Sequence, residues 1–371
     1  MTQKIRHVLG ISGGKDSAAL AIYLSQKYPK LDIEYYTCDT GKELDETYQL
    51  IDRLEVYLGK GITKLNAAQG SEEKPFDHFL RLNGQFLPSP QARWCTQKLK
   101  IEPFETYVGT TLTVSYVGIR GDEERDGYIS TKTNIQAIFP FRKNIWSEEI
   151  ISKTLANTQL TMLTGLYEQF GNHPKYNRMM QIAGERLSPV FNRTQKLNSL
   201  LDLGTKEFNK VVFDVLKTTG YPLAIADLDD FPLIGNEDVL IKADIFKLLE
   251  DSGVGVPAYY KELEYEASGT KGIYNRSRSG CFFCFYQQRI EWIWLYEQHP
   301  EKFAEAMQYE KDGYTWIESE TLQDLTQPAR MRQIKEDHLK KMQKKANQPK
   351  SSNLMDILDI DEVVGCASCF V

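Results

Sequence analysis

The stretch HVLGISGGKDSAALAIYLS, residues 7–25, constrains this chain more than any other. A strand-like apolar run meets a turn holding Gly13 and Gly14, then Lys15, Asp16 and Ser17, and goes on as an apolar helical run. A strand feeding a helix this way opens a βα unit, and this turn is suited to an anion. Glycines let the backbone approach closely because no side chain intervenes. The free amides of the first helical turn point at the anion, with the helix dipole behind them. Ser12 and Ser17 add hydroxyl donors, and Asp16 is placed to cap the helix. Spacing excludes two common phosphate loops. A Walker loop needs Gly, four residues, then Gly-Lys-Ser/Thr, yet Asp16 follows Gly14-Lys15 and Leu9 stands five before Gly14. A dinucleotide fingerprint needs Gly-x-Gly-x-x-Gly, which Gly10, Gly13 and Gly14 do not form. An ordinary βα turn with a Ser/Asp cap is the bland alternative, and it leaves the coincidence of features unexplained.

Residues 5–140 alternate short apolar runs with amphipathic stretches, the pattern of a parallel sheet with crossover helices. Strands are predicted at His7–Ile11, Ile33–Thr37, Thr63–Asn66 and Val114–Ile119, with helices near 17–27, 43–58 and 96–107. The expected fold is α/β, a doubly wound, mostly parallel sheet. Ligands of such sheets sit at the carboxyl ends of the strands, so the features at 12–17, 38–41 and 118–125 should converge on one crevice. Residues 144–236 read as a helical insertion, or alternatively as more helices of one continuous domain. A strand-helix-turn pattern resumes at 237–310, and 311–371 reads as a basic helical extension with a cysteine-bearing tail.

At 371 residues, 41% hydrophobic and 26% charged, the composition is that of a globular protein of one large or two medium domains. No apolar run approaches a membrane span and MTQKIRHV lacks a signal-peptide apolar region, so a cytoplasmic location without membrane association is expected. The net charge of −6 gives no global attraction for nucleic acid. A local basic run at 330–350, including Arg330, Arg332, Lys335, Lys340, Lys341, Lys344, Lys345 and Lys350, is either a solvated helix face or a phosphate-binding strip. In a reducing compartment the pairs Cys281-x-x-Cys284 and Cys366-x-x-Cys369 argue for metal or redox chemistry over structural disulfides.

Further constellations follow the predicted strands. Asp39, Thr40 and Gly41 in TCDTGKELDET suit a ribose or adenine edge, whereas Cys38 reads as a small buried hydrophobe. In RWCTQKLKIEPF, Arg93, Lys98 and Lys100 surround Cys95, where cations attract anions and favour a thiolate. In VGIRGDEERDGY, Gly118 and Arg120 follow a strand; Arg120 offers a fork of donors to phosphate, and Asp122 and Glu123 supply the acidic setting in which Mg²⁺ sits beside a triphosphate. Glu124 and Arg125 complete that charged loop. Arg276 and Arg278 lead into Cys281 and Cys284, and two Cys-x-x-Cys pairs suit a zinc site or a [4Fe–4S] cluster.

Taken in order, Ser12 to Ser17, Asp39-Thr40-Gly41 with Glu46-Thr47, Arg93-Trp-Cys95-Thr, Gly118-Ile-Arg120 and Arg278-Ser-Gly-Cys281-x-x-Cys284 resemble the phosphoadenosine phosphosulfate (PAPS) reductase family, a branch of the PP-loop ATP pyrophosphatases with the adenine nucleotide alpha hydrolase fold. The resemblance covers about 5–142 and 236–310. Within it, the arginine-cysteine segment and the Cys-x-x-Cys look like the branch that makes DNA backbone phosphorothioates (DndC-like and SspD-like proteins). PAPS reductases typically end in a Glu-Cys-Gly-type tail, whereas here the tail reads Gly365-Cys366-Ala-Ser-Cys369.

The resemblance implies an ATP-dependent sulfurtransferase that cleaves ATP between the α and β phosphates. It implies nucleotide binding by Ser12, Gly13, Gly14, Lys15, Asp16, Ser17, Asp39, Thr40, Gly41, Gly118 and Arg120, with Mg²⁺. Catalytic roles fall to Lys15, Asp16, Ser17, Arg120 and Cys95. A [4Fe–4S] cluster, or alternatively zinc, would be held by Cys95, Cys281 and Cys284 with a fourth ligand from Cys366 or Cys369. The expected partners are DNA, a cysteine desulfurase as sulfur donor and other proteins of a modification complex. A sulfonucleotide reductase, a tRNA thiolase and a non-enzymatic zinc-bearing nucleic-acid-binding protein are the rival readings.

Overall fold

The apolar runs following the phosphate-loop pattern pair side by side. In the computed structural model, which describes residues 4–123, 130–226, 230–311 and 313–347, five strands form one parallel sheet: β1 (Arg6–Gly10), β2 (Ile33–Asp39), β3 (Ile62–Asn66), β4 (Thr113–Tyr116) and β5 (Ile135–Ile138). Their order is β3-β2-β1-β4-β5. His7 lies opposite Ile33 on one side and Val114 on the other. The chain therefore winds outward in both directions from β1, and the loops after β1 and β4 flank the point of reversal, where such sheets bind ligands.

Helix α1 (Lys15–Lys27) is buried on every side from Lys15 to Leu24. Ala18, Ala19 and Ala21 keep it slim enough to be covered on both faces. Its closest cover is the helix Lys242–Asp251, with the helix Asp45–Leu58 beside it. Ile150, Leu163, Tyr167, Phe208 and Val212 belong to the same apolar cluster as Leu9, Leu20, Leu24 and Ile51. The described residues of 144–236 are mostly helical, and their apolar side chains are continuous with the core of the sheet. Beyond them, 237–241 form no strand; Leu240 instead donates its amide to the Phe141 carbonyl at 3.1 Å and accepts from the Gly121 amide at 3.0 Å. The predicted strand pattern gives way there to the helix Lys242–Asp251 and an antiparallel hairpin, β6 (Leu263–Ala267) with β7 (Thr270–Tyr274).

A second apolar cluster gathers Phe76, Leu99, Phe283, Trp292, Trp294 and Trp316. Ile334 and Leu339 of the helix Pro328–Asn347 join it, so the extension is docked on this core. Among the described residues no helix is long and apolar enough to cross a membrane.

Candidate active site

The turn after β1 is held open by its glycines. Gly13 has φ +71°, a left-handed conformation that a side chain disfavours, and a Cβ there would strike the Thr47 methyl. At Gly14 a Cβ would lie 2.5 Å from Ser279 Oγ, and at Gly118 one would lie 2.9 Å from the Asp16 carbonyl. The loop is therefore clasped between the start of α2 (Asp45–Leu58), the 277–280 segment and the loop after β4. Tyr259 donates its hydroxyl to the Gly13 carbonyl at 2.8 Å. The hydroxyls of Ser12 and Ser17 lie 3.1 Å apart, and Ser17 donates to the Gly14 carbonyl at 3.2 Å.

Asp16 does not cap α1 with its side chain. Its carboxylate instead accepts from Arg120 Nη1 at 3.0 Å, with both groups buried. Arg120 also meets Glu123 at 2.9 Å and, through Nε, Asp122 at 2.8 Å. Its fork is thus filled by carboxylates, and it ties the β4 loop to the phosphate loop. Lys15, 3% exposed, lies 3.4 Å from Asp16 and stands over the Tyr260 ring at 4.9 Å. Lys15, Asp16 and Arg120 form one buried charge network whose balance a polyphosphate would change. Glu124 and Arg125 lie outside the described residues.

The end of β2 divides two duties. Asp39 accepts from the Gly41 amide at 2.8 Å and from the Tyr48 hydroxyl at 2.9 Å. Together with Ser12, Tyr48, Lys64, Lys100 and Gly280 it lines a polar crevice beside the phosphate loop. Thr40 turns the other way. It is 1% exposed, donates to Glu43 at 2.6 Å, and its Oγ1 lies 3.2 Å from Cys281 Sγ. Gly41, at φ +73°, makes the turn that follows them.

Cys95, Cys281 and Cys284, some 190 residues apart in the chain at their extremes, line one apolar pocket with Phe283, Tyr286 and Trp316. Cys95 lies in the short helix Trp94–Thr96, which runs into a π-helical turn at Gln97–Ile101. Cys281 is held by an antiparallel bridge to Glu43 and by the Phe282 amide, which donates to the Lys42 carbonyl at 2.9 Å. Burial, with the nearby Glu43 carboxylate second, pushes the Cys281 thiol well above its ordinary pKa. Cys38 stands apart from this pocket; it is half-buried and lines the crevice, and burial pushes its thiol up to about 12. Among the described residues no three His, Cys, Asp or Glu side chains come together as a site for a single metal ion. The three thiols thus share a pocket without a preformed zinc site. Cys366 and Cys369 lie outside the described residues.

Several residues of this site are not apparent in the sequence. Glu43 lines the crevice and reaches the thiol pocket through Thr40 and its bridge to Cys281, and Tyr48 bonds both Asp39 and Glu43. Tyr259 and Tyr260 brace the phosphate loop. Ser279 touches the loop at Gly14 and, with Gly280, lines the pocket, and Gly280 also lines the crevice. The run Arg278-Ser-Gly-Cys is legible as a motif through its cysteine, and its serine and glycine are where the two halves of the site meet.

A parallel sheet with a glycine-serine phosphate loop at its point of reversal defines an α/β fold of the PP-loop nucleotide hydrolase type. Residues 6–183 match the phosphoadenosine phosphosulfate reductase domain. Two curated relatives come from Methanocaldococcus jannaschii. The uncharacterized protein MJ0066 is 28% identical over 153 residues, 38% of this chain and 30% of the relative. The uncharacterized protein MJ0973 is 27% identical over 222 residues, 57% of this chain and 47% of the relative. The chain spans less than half the length of either. No solved structure matches it.

Proposed function

We propose that this protein is an ATP pyrophosphatase-type sulfurtransferase that adenylylates a DNA backbone phosphate so that sulfur can displace AMP. One observation carries the reading: the crevice beside the phosphate loop and the pocket of three thiols share walls, since Lys100 and Gly280 line both. A nucleotide phosphate on residues 12–17 and a sulfur species among Cys95, Cys281 and Cys284 would be neighbours. The PAPS reductase domain match supports a nucleotide-utilizing role in sulfur transfer or reduction.

In this reading the β and γ phosphates of ATP rest on the amides and hydroxyls of 12–17, and the ribose lies toward Asp39. Lys15 and Arg120 stabilise charge that builds on the leaving pyrophosphate, an electrostatic and positional form of catalysis. Asp16 keeps Arg120 aimed at the loop. With Asp122 and Glu123 already engaged by Arg120, a Mg²⁺ ion would take most of its ligands from the phosphates and water, its usual habit in such sites. The thiol pocket is apolar, and a [4Fe–4S] cluster, or alternatively zinc, would be held there by Cys95, Cys281, Cys284 and a tail cysteine. When bound, such a cluster would supply a sulfur-handling centre shielded from water. A cysteine desulfurase would supply the sulfur.

The test combines the full-length protein, ATP, Mg²⁺, a cysteine desulfurase and isotopically labelled cysteine with DNA or tRNA, followed by mass spectrometry of the digested nucleic acid. Labelled sulfur in the DNA backbone is expected. Labelled sulfur in tRNA bases alone would make it a tRNA thiolase. Reduction of a sulfonucleotide without ATP would make it a reductase. Bound zinc with no turnover would leave a nucleic-acid-binding protein.

A further inference from the structure

A second, larger cleft of about 500 Å³ opens beside Lys15 and shares no lining residue with the thiol pocket. Its walls come from elements far apart in sequence: Lys242 and Phe246 at the start of one helix, Tyr274 to Ser277 after β7, and His338, Lys341 and Met342 on the helix Pro328–Asn347. That helix is fixed in place. Tyr265 of β6 meets His338 Nδ1 at 2.7 Å, and Lys335 pairs with Glu297 at 2.6 Å.

The cleft is cationic from floor to mouth. Lys15 and Arg276 lie at its floor, and Lys242 and Lys341 stand higher. Two carboxylates share it. Glu291 accepts from the Ser277 amide and hydroxyl at 2.7 and 2.8 Å and from the Gln288 amide at 2.8 Å, so its oxygens are turned into the fold, while Lys15 is itself paired with Asp16; the cations of the lining still outnumber its carboxylates. Glu262 is exposed. The floor also touches both halves of the site. Lys15 belongs to the phosphate loop, and Arg276, 2% exposed, donates to the Cys281 carbonyl at 3.1 Å. From Lys341 on the cleft wall the cations continue to Lys344, one turn further along the helix; both are exposed, with no ion pair among the described residues. A compact anion would need only the floor. A strip running outward from it fits an extended polyanion, with the half-buried Phe246 on its wall.

We propose that this cleft binds the phosphodiester backbone of a nucleic acid and brings one phosphate to the floor between Lys15 and Arg276. The inference rests on the adenylylation reading only for the purpose of that phosphate, since the binding follows from the charge alone.

The test is fluorescence anisotropy with labelled duplex DNA, single-stranded DNA and an RNA hairpin, on the wild type and on the Lys341→Ala/Lys344→Ala variant, across a salt series. Both residues are exposed, so the variant should fold, and its affinity for ATP should match the wild type. Expected is about a tenfold loss of affinity, with the slope of log affinity against log salt reduced by about two, one per lost phosphate contact. The probe that suffers this loss identifies the nucleic acid; DNA is the one the adenylylation reading requires. An unchanged slope and affinity, or no binding of any probe by the wild type, would overturn the cleft. Loss of binding in the variant, together with no α–β cleavage of ATP by the wild type, would sustain the cleft and sink the adenylylation reading.

Discussion

Asp16 is the residue on which the site's electrostatics turn. It is the shared partner of Lys15 and Arg120, all three buried. Replacing it with alanine leaves Arg120 paired to Asp122 and Glu123, so the fold should survive. Its aim toward the phosphate loop should not. Asp16→Ala is expected to lower pyrophosphate release by about 100-fold or more, with a stability loss of about 1–3 kcal/mol as buried Lys15 and Arg120 lose a shared partner; normal release by the variant would remove Asp16 from the mechanism. A second residue-scale prediction concerns Cys281. Burial and then Glu43 hold its thiol in the protonated form above the usual range. Removing the carboxylate by Glu43→Gln lowers that pKa, so more thiolate is present at any pH below it. In cluster-free protein, pulse alkylation of Cys281 read by mass spectrometry should be faster in the variant at pH 8 and converge with the wild type as pH rises. Equal rates at all pH values would show that Glu43 has no hold on the thiol.

At the scale of elements, the glycine after β4 sets how closely two loops approach. Gly118→Ala places a methyl 2.9 Å from the Asp16 carbonyl, a backbone atom that can yield only if the phosphate loop moves. Nucleotide affinity is expected to fall about tenfold, measured by calorimetry, with a stability cost of about 1–3 kcal/mol. In the insertion, Lys196 is fully buried and donates to the carbonyls of Ala183 and Glu185 at 2.8 and 2.6 Å, closing the helix Tyr176–Gly184. Lys196→Met should cost about 2–4 kcal/mol in denaturant unfolding, because two carbonyls lose their donor, while leaving nucleotide binding intact. Some of these elements are readable in the sequence and others are not, for physical reasons. Strands β1 to β4 are apolar runs bounded by turn residues, and they lie within a few positions of where they are expected. Strand β5 is four residues long, too short for a period to declare itself. The β6–β7 hairpin is missed by apolar patterning although its turn carries a signal: Ser268 and Gly269, at φ +51° and +75°, have the left-handed pair that a tight hairpin demands. The phosphate loop is legible because its chemistry is local. The thiol pocket is not, because the nearness of Cys95 to Cys281 is set by how α2, the π turn and the second core pack, and only the family resemblance hints at it.

Across the whole molecule, two apolar cores meet at the site. One carries the sheet, α1 and the insertion, and the other carries the cysteine segment and the C-terminal extension. A nucleotide lodged between them should therefore stabilise the chain as a unit. At a concentration one hundred times its Kd, a non-hydrolysable ATP analogue is expected to add about 2.7 kcal/mol, raising the unfolding temperature in a single transition. Stabilisation of one transition out of two would show that the cores unfold independently. The central claim is that the loop at 12–17 serves cleavage between the α and β phosphates beside a sulfur-bearing pocket. It is tested most directly by anaerobic incubation of the full-length protein with ATP labelled at the α and γ phosphates and Mg²⁺, with DNA, tRNA or no acceptor. AMP and pyrophosphate, formed faster with DNA, is the predicted result. ADP and phosphate, or no cleavage with any acceptor, would contradict it.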